Sequence, residues 1–327
     1  MTAPDSAPRY AYLGPAGTFT EEALLRVTSA ESAKLLPQHD VLSSIECVRD
    51  GEADFAVVAI ENSIEGGVTA VLDALAAEEH GPLVISKEIL VPVAFTLAAV
   101  PGTSFDEVRR IAAHPHAWAQ CQNWIHRNRP GAEHVFAKSN TSAAAEVAEM
   151  VAGKTPYDQL GFDAALVPPA AVQSYGLAVL ASGVADNPAA ITRFVLIQRQ
   201  RPGAVPDPTG ADKTTLAVDL PDERAGALME MLEQFAIRGI NLTRIESRPS
   251  GDALGRYRFS IDAEAHITEP RMAETLMGLH RFSPNVRYLG SYPKADFVAT
   301  RIRPDAEESA YLEAQAWVEQ IQAGESV

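Results

Sequence analysis

Only two cysteines, Cys47 and Cys121, occur in 327 residues, far apart and outside any CxxC or Cys/His grouping. That excludes a disulfide scaffold and zinc-finger spacing, and suits a reducing compartment in which both thiols pack as small part-buried groups. No apolar run approaches the roughly 18–20 residues needed to span a bilayer. The opening Met1-Thr2-Ala3-Pro4-Asp5 has neither a basic nor an apolar leader segment, so a cytoplasmic protein is expected. Positive charge is scarce: 27 Lys plus Arg against 43 Asp plus Glu give a formal charge of −16. Such a surface repels nucleic-acid phosphates and anionic lipid, so neither is expected as a partner. A small anionic substrate would need a local positive pocket. Ser-His-Asp ordering, HExxH, Walker A and GxGxxG are also missing.

What is present is an ordinary globular balance, 46% apolar and 21% charged, in a chain long enough for two or three domains. The sharpest break is Gln200–Gly210, whose three prolines and two glycines read as a linker. Before it, β-type runs alternate with helix-like runs. Strands are expected at Arg9–Leu13, Asp54–Ile60, Leu83–Ala98 (one or two), Arg110–Ala113, Val135–Ala137, Ala164–Val167, Ala178–Leu180 and Thr192–Gln198. Thr18 with Glu21, and Ser43 with Glu46, have capping-box spacing ahead of helices. Further helices are expected at Gly67–Glu78, Trp118–Asn128 and Ser142–Ala152. This alternation predicts an α/β domain with mostly parallel sheet.

After the linker the order becomes βαββαβ, the split βαβ, ferredoxin-like plan. The strands are Lys213–Leu220, Ile240–Arg248, Arg256–Ala263 and Val286–Gly290, and the helices Gly226–Gly239 and Glu269–Leu279. Gly239 closes the first helix; Thr268 is placed as N-cap of the second, with Pro270 tolerable in its first turn. Residues 304–323 read as an acidic helical tail.

Ligands in open α/β sheets sit beyond the carboxyl ends of strands. Glu61-Asn62-Ser63, His114-Pro115-His116 and Ser139-Asn140-Thr141-Ser142 occupy such places, the last opening a helix whose free N–H groups suit a carboxylate. Each also has a plain structural reading, as a solvated strand end, a turn and an ordinary cap. Thr192-Arg193-Phe194, at the start of the last strand before the linker, reads equally well as strand. The residues alone therefore describe a two-part α/β protein with a polar cleft.

Taken together, the segments resemble the prephenate dehydratase family from about Arg9 to Pro293. The carriers are Tyr12-Leu13-Gly14-Pro15-Ala16-Gly17-Thr18-Phe19-Thr20, Ile60-Glu61-Asn62-Ser63 with Glu65-Gly66-Gly67-Val68, His114-Pro115 with Gln120-Cys121, and Thr192-Arg193-Phe194. His116 and Trp118 stand where that family usually has Gln and Leu, and Ala59 and Ala225 where it usually has Pro. The resemblance implies a two-lobed, periplasmic-binding-protein-like catalytic domain with its site between the lobes, followed by a ferredoxin-like ACT regulatory domain. It places the catalytic domain at 8–200, a linker at 201–212, the ACT domain at 213–294 and the acidic tail at 295–327.

It further implies decarboxylating dehydration of prephenate to phenylpyruvate, with Thr192 meeting the leaving hydroxyl, Arg193 opposing substrate charge if it faces the cleft, and Phe194 packing behind Thr192. Strand alternation puts Thr192 and Arg193 on opposite faces unless the strand end twists. Thr18, Glu61, Asn62, Ser63, His114, Ser139, Asn140 and Thr141 are the expected substrate-binding residues. Gly226, Ala227, Leu228 and Glu246, Ser247, Arg248, Pro249 are those expected to bind inhibitory L-phenylalanine between paired subunits of a homodimer or homotetramer. No metal or organic cofactor is expected. Two alternatives stay open: a dehydratase for arogenate, with Glu61 meeting its amino group, and a non-catalytic amino-acid sensor. His116, titratable beside the expected site, is expected to affect pH dependence.

Overall fold

The structure is a computed structural model that describes residues 7–77, 81–152, 160–221, 224–249 and 256–324. The leader reading at Met1–Asp5 and the last residue of the helix expected to end at Glu78 lie outside them. The chain forms two compact units, Met1–Val71 with Ile89–Phe194, and Leu72–Glu88 with Val195–Val327.

Along the first unit run β1 (Arg9–Leu13), α1 (Phe19–Leu25), β2 (Lys34–Gln38), α2 (Val41–Arg49), β3 (Phe55–Asn62) and β4 (Gly66–Gly67). Then come α3 (Thr69–Leu75) and β5 (Leu83–Pro92), which cross the division, followed by β6 (Thr96–Ala99), β7 (Arg110–Ala113) and α4 (Pro115–Asn128). Next are β8 (Glu133–Phe136), α5 (Asn140–Val151), β9 (Ala164–Val167), α6 (Pro169–Tyr175), β10 (Ala178–Ser182) and β11 (Ile191–Arg199). One sheet has the order β2-β1-β3-β11-β5, with β4 on β3; a second has β10-β6-β9-β7-β8. Each sheet is the spine of one lobe.

In the first lobe β1 pairs in parallel with β2 and β3. Ala56, Val57, Val58 and Ile60 of β3 are all 0–1% exposed, as a strand covered on both faces must be. In the second, neighbouring residues serve opposite cores. Leu97, Ile111 and Leu166 pack with Cys121 and Ile125 of α4, while Ala98, Ala112 and Ala165 pack with Ala143, Ala144 and Val147 of α5. Parallel pairing is not general here, since β6 meets β9 and β10 antiparallel.

Several local expectations are corrected. The N-cap of α2 is Asp40, whose carboxylate accepts the Ser43 N–H at 2.7 Å; Ser43 sits inside the first turn and cannot cap it. Gly66–Gly67 pairs antiparallel with Glu61–Asn62, so the next helix starts at Thr69, not Gly67. Gly66 needs its φ of +86°, which helix geometry does not offer. The fourth helix begins at Pro115, with proline at its first position. β2 went unseen because Pro37 breaks its strand pattern, and an edge strand tolerates such a proline.

The second unit contains β12 (Asp212–Asp219), α7 (Ala227–Ala236), β13 (Leu242–Pro249), β14 (Tyr257–Ala263), α8 (Pro270–Phe282), β15 (Val286–Pro293) and α9 (Glu308–Gln322). Its sheet runs β13-β14-β12-β15 with every pair antiparallel, which is the ferredoxin-like arrangement. Leu216, Val218, Phe259 and Ile261 face Met231, Phe235, Met272 and Leu279 of the helices. Gly239, at φ +64°, ends α7 in a Schellman turn: its N–H goes to the Ala236 carbonyl and that of Ile240 to Phe235. Thr268 is not the N-cap of α8. Its hydroxyl contacts His266 Nδ1 at 2.8 Å, and Glu269 takes the cap position without a side-chain capping bond, its carboxylate accepting from the His266 N–H and Arg271 instead. No helix among the described residues is long and apolar enough to cross a membrane.

Candidate active site

The contacts of β3 with β11 run Ser63 to Ile191, Asn62 to Thr192 and Glu61 to Arg193, so the two strands meet antiparallel. The amino end of β11 therefore shares an edge with the carboxyl ends of β1, β2 and β3. Ser63 fixes this register, its N–H donating to the Ile191 carbonyl at 2.9 Å and its Oγ accepting the Ile191 N–H at 3.0 Å. Its oxygen is thus engaged in holding the strand.

Asn62 is oriented by its own turn. Its Oδ1 accepts the N–H groups of Ile64 (2.9 Å) and Glu65 (3.2 Å), which turns Nδ2 toward Thr192 Oγ1 at 2.8 Å. The threonine oxygen accepts from that amide, and no described residue takes its proton. A hydroxyl held this way can donate outward. Thr192 is 9% exposed and Phe194, two residues on along the same face, 2%.

Arg193 is buried and ion-pairs with Glu61 at 3.4 Å. The strand keeps its alternation, so Arg193 lies on the face opposite Thr192. On that face its guanidinium engages Glu61.

The loops beyond β1, β2, β7, β8 and β9 enclose a cavity of about 660 Å³. The first lobe contributes Leu13–Pro15, Thr18–Thr20 and Pro37–His39; the second contributes His114, Lys138–Ser142 and Pro168. Thr18, His114, Ser139, Asn140 and Thr141 thus line one cavity. Glu61, Asn62, Ser63 and Thr192 do not line this cavity; they stand at the same strand edge beside it. Thr18 caps α1 and spends its hydroxyl, accepting from Glu21 N–H and donating to the Leu13 carbonyl, both at 3.2 Å.

Ser139 and Ser142 form the capping box of α5, which leaves the first N–H groups of that helix for a ligand. Asn140 Oδ1 is buried without a partner among the described residues. His114 caps α4 by accepting the His116 N–H on Nδ1 at 3.3 Å, so its proton resides on Nε2. Burial, and then the neighbouring His116, hold its pKa below the ordinary imidazole value and keep it neutral.

Three polar lining residues escaped the sequence reading. Lys138 is the one Lys or Arg among the described lining residues, so it supplies the positive charge an anionic ligand needs. It directly precedes Ser139, but the cap pattern there drew attention away from it. Gln38 ends the strand that was not seen, and His39 follows it.

In the second unit, β12 and β13 each run antiparallel to β14 and are therefore parallel to one another. Arg258 pairs with Asp219 on one side and Arg248 on the other, so both carboxyl ends share an edge. Gly226, at φ +88° and without a side-chain cap, opens α7 from that edge with Ala227 and Leu228. Glu246, Ser247, Arg248 and Pro249 finish β13, an outer strand of the sheet. Topology brings the two segments to one edge, but no hydrogen bond or ion pair joins them within the described residues.

The fold defines a two-lobed α/β protein with a cavity beyond the strand ends of both lobes. The family model for prephenate dehydratase matches residues 10–202. A curated prephenate dehydratase of Amycolatopsis methanolica is 44% identical over 317 residues, covering 97% of this chain and 99% of that protein. The crystal structure of a prephenate dehydratase from Arthrobacter aurescens, in complex with L-Phe, is similar with a TM-score of 0.88 and 47% identity, covering 96% of this chain and 99% of that one. A further solved structure, described as a novel type of quorum quenching acylase, has a TM-score of 0.75 and 31% identity over 88% of this chain and 99% of its own. The chain belongs to the prephenate dehydratase family.

Proposed function

We propose that the chain converts prephenate to phenylpyruvate, CO2 and water for phenylalanine synthesis in the cytoplasm, and that L-phenylalanine inhibits it through a C-terminal ACT domain. The observation that carries this reading is the Asn62–Thr192 pair, which holds a nearly buried hydroxyl whose proton no described residue claims. In the reaction the bond from the ring to its carboxylate breaks, and the electron pair moves through the ring. The ring C–OH bond then breaks, and the hydroxyl leaves as water with one added proton. Thr192 donates a hydrogen bond to that leaving oxygen and so orients proton delivery. Positioned proton transfer of this kind is worth about 10²–10⁴ in rate.

Lys138, the first N–H groups of α5, and the side chains of Ser139, Asn140 and Thr141 hold the pyruvyl carboxylate and keto group. Neutral His114 offers its Nε2–H. Leu13, Phe19, Pro37 and Pro168 form an apolar wall, where loss of charge as CO2 is favoured over the carboxylate.

The division at 8–200 (catalysis), 201–212 (linker), 213–294 (ACT) and 295–327 (acidic tail) is part of this reading. So is phenylalanine binding at Gly226–Leu228 and Glu246–Pro249, with the two segments supplied by paired subunits of a dimer or tetramer. Arogenate is disfavoured because Glu61, the carboxylate that could meet its amino group, already neutralises Arg193. Acyl-transfer chemistry lacks an activated nucleophile among the described residues. Ser43 Oγ (3.1 Å) and Asp40 (2.9 Å) meet the same His39 nitrogen, whereas a triad needs opposite ones. Both cysteines are buried, with Cys121 pushed up to about 12 by burial.

The test is product formation by the purified chain from prephenate, arogenate and an N-acyl substrate, each with and without phenylalanine. Turnover of prephenate, suppressed by phenylalanine, supports the reading. Turnover confined to either other substrate overturns it.

A further inference from the structure

Glu65 lies three residues beyond Asn62 and forms part of the turn that aims it, since its N–H donates to Asn62 Oδ1 at 3.2 Å. Its side chain leaves the first lobe altogether. One carboxylate oxygen meets His116 Nδ1 at 2.7 Å, and the other accepts from Gln120 Nε2 at 3.0 Å, both on α4 of the second lobe. A continuous line of hydrogen bonds thus runs from the Thr192 hydroxyl through Asn62 and its turn to the second lobe. The reaction as described uses none of these three side chains.

We propose that Glu65 is a positioning residue that ties the Asn62 turn to α4, so that the spacing of the lobes and the aim of Asn62 at Thr192 are set together, with His116 making the tie stronger when it is protonated. The inference rests on the dehydratase reading and adds a control to the same site. A carboxylate cannot donate, so the 2.7 Å contact requires a proton on His116 Nδ1. Neutral imidazole can supply one in a single tautomer; the imidazolium supplies it in every state and adds charge attraction. The charged and titratable groups facing His116 are Glu65 from the β3–β4 turn, the His114 ring at 4.8 Å on the same helix, and Asp186, which lines the same small cavity with Glu65 and Gln120. His116 and Glu65 are 64% and 37% exposed, so solvent screens the pair and a modest effect is expected.

The experiment measures kcat and KM for prephenate at about pH 6 and about pH 8 for wild type, Glu65→Ala and His116→Gln. Alanine keeps the backbone N–H that orients Asn62 but cuts the tie. KM is therefore expected to rise about 3- to 30-fold, the worth of one screened ion pair and one hydrogen bond, with a smaller loss in kcat. Glutamine at His116 can still donate but cannot titrate. Its KM should fall between those of the other two proteins and lose the pH dependence seen in wild type.

Thermal unfolding of Glu65→Ala, His116→Ala and the double variant reads the same contact without turnover, and the losses should fall short of additive. A wild type inert toward prephenate would sink the dehydratase reading while the unfolding cycle still judges the tie. Glu65→Ala with wild-type KM at both pH values, a pH dependence that persists in His116→Gln, or strictly additive unfolding losses would each overturn the proposal.

Discussion

Asn62→Asp is nearly isosteric, yet it should be among the most damaging single changes in the protein. The new carboxylate can still accept the N–H groups of Ile64 and Glu65, now at 2.9 and 3.2 Å, so the turn survives. Its other oxygen faces Thr192 Oγ1, where the amide now donates at 2.8 Å. Two acceptors without a proton cannot share that contact, so the Thr192 hydroxyl must rotate and give its proton to the aspartate. The leaving hydroxyl then meets lone pairs instead of a donor, beside an added negative charge. Loss of a positioned donor lowers kcat by about 10²–10⁴-fold. Stability should change by no more than about 1 kcal/mol, because one hydrogen bond is exchanged for another. Stopped assays of phenylpyruvate give kcat, and thermal unfolding confirms the fold. Asn62→Ala serves as comparison: it loses the turn contacts too, so it should be less stable than Asn62→Asp while adding no charge. A folded Asn62→Asp protein with kcat within threefold of wild type would refute the directional reading of this hydrogen bond.

Other consequences follow from single features. Lys138→Met removes the one Lys or Arg among the described lining residues; KM for prephenate should rise about tenfold with little change in kcat, and the wild-type salt dependence of KM should flatten. Because burial lowers the His114 pKa, the folded state resists its protonation. The unfolded chain therefore binds that proton more readily, and stability is lost as pH falls below about 6.5. His114→Asn should reduce that acid loss in unfolding measured at about pH 5 and about pH 7.5. Gly290 has a φ of +130°, and a Cβ there would lie 2.3 Å from the Ile85 carbonyl oxygen. Gly290→Ala should thus cost about 3 kcal/mol and lower the melting temperature by about 5–10 °C.

The sequence reading succeeded where hydrophobic periodicity and local chemistry agreed. DFAVVAI has the pattern of a doubly covered strand, and the βαββαβ order after the linker matches a ferredoxin-like sheet before any pairing is known. It failed where two local signals competed. Asp40 and Ser43 both resemble caps, and only backbone geometry selects Asp40. Gly66-Gly67 reads as the approach to a helix, yet its glycines accept a tight antiparallel return onto Glu61–Asn62. Thr268 looks like a cap until the imidazole of His266 takes its hydroxyl.

Segments of the site were legible as polar runs after strands, but the partnerships within them were not. Asn62 and Thr192 are 130 residues apart in sequence, and nothing in either segment announces that one donates to the other. Strand alternation did anticipate that Thr192 and Arg193 would face opposite ways, and the ion pair with Glu61 explains where the arginine goes. Lys138 was missed although visible, because a lysine before a serine cap is unremarkable until the loops of two lobes close around it.

The account stands or falls on the Thr192 hydroxyl, and the most direct measurement compares prephenate turnover by wild type, Thr192→Ser and Thr192→Val. The serine variant keeps the hydroxyl and should retain kcat within about tenfold, whereas the isosteric valine should lose about 10² or more with its fold intact. A folded Thr192→Val protein that turns over prephenate at the wild-type rate would contradict the central claim.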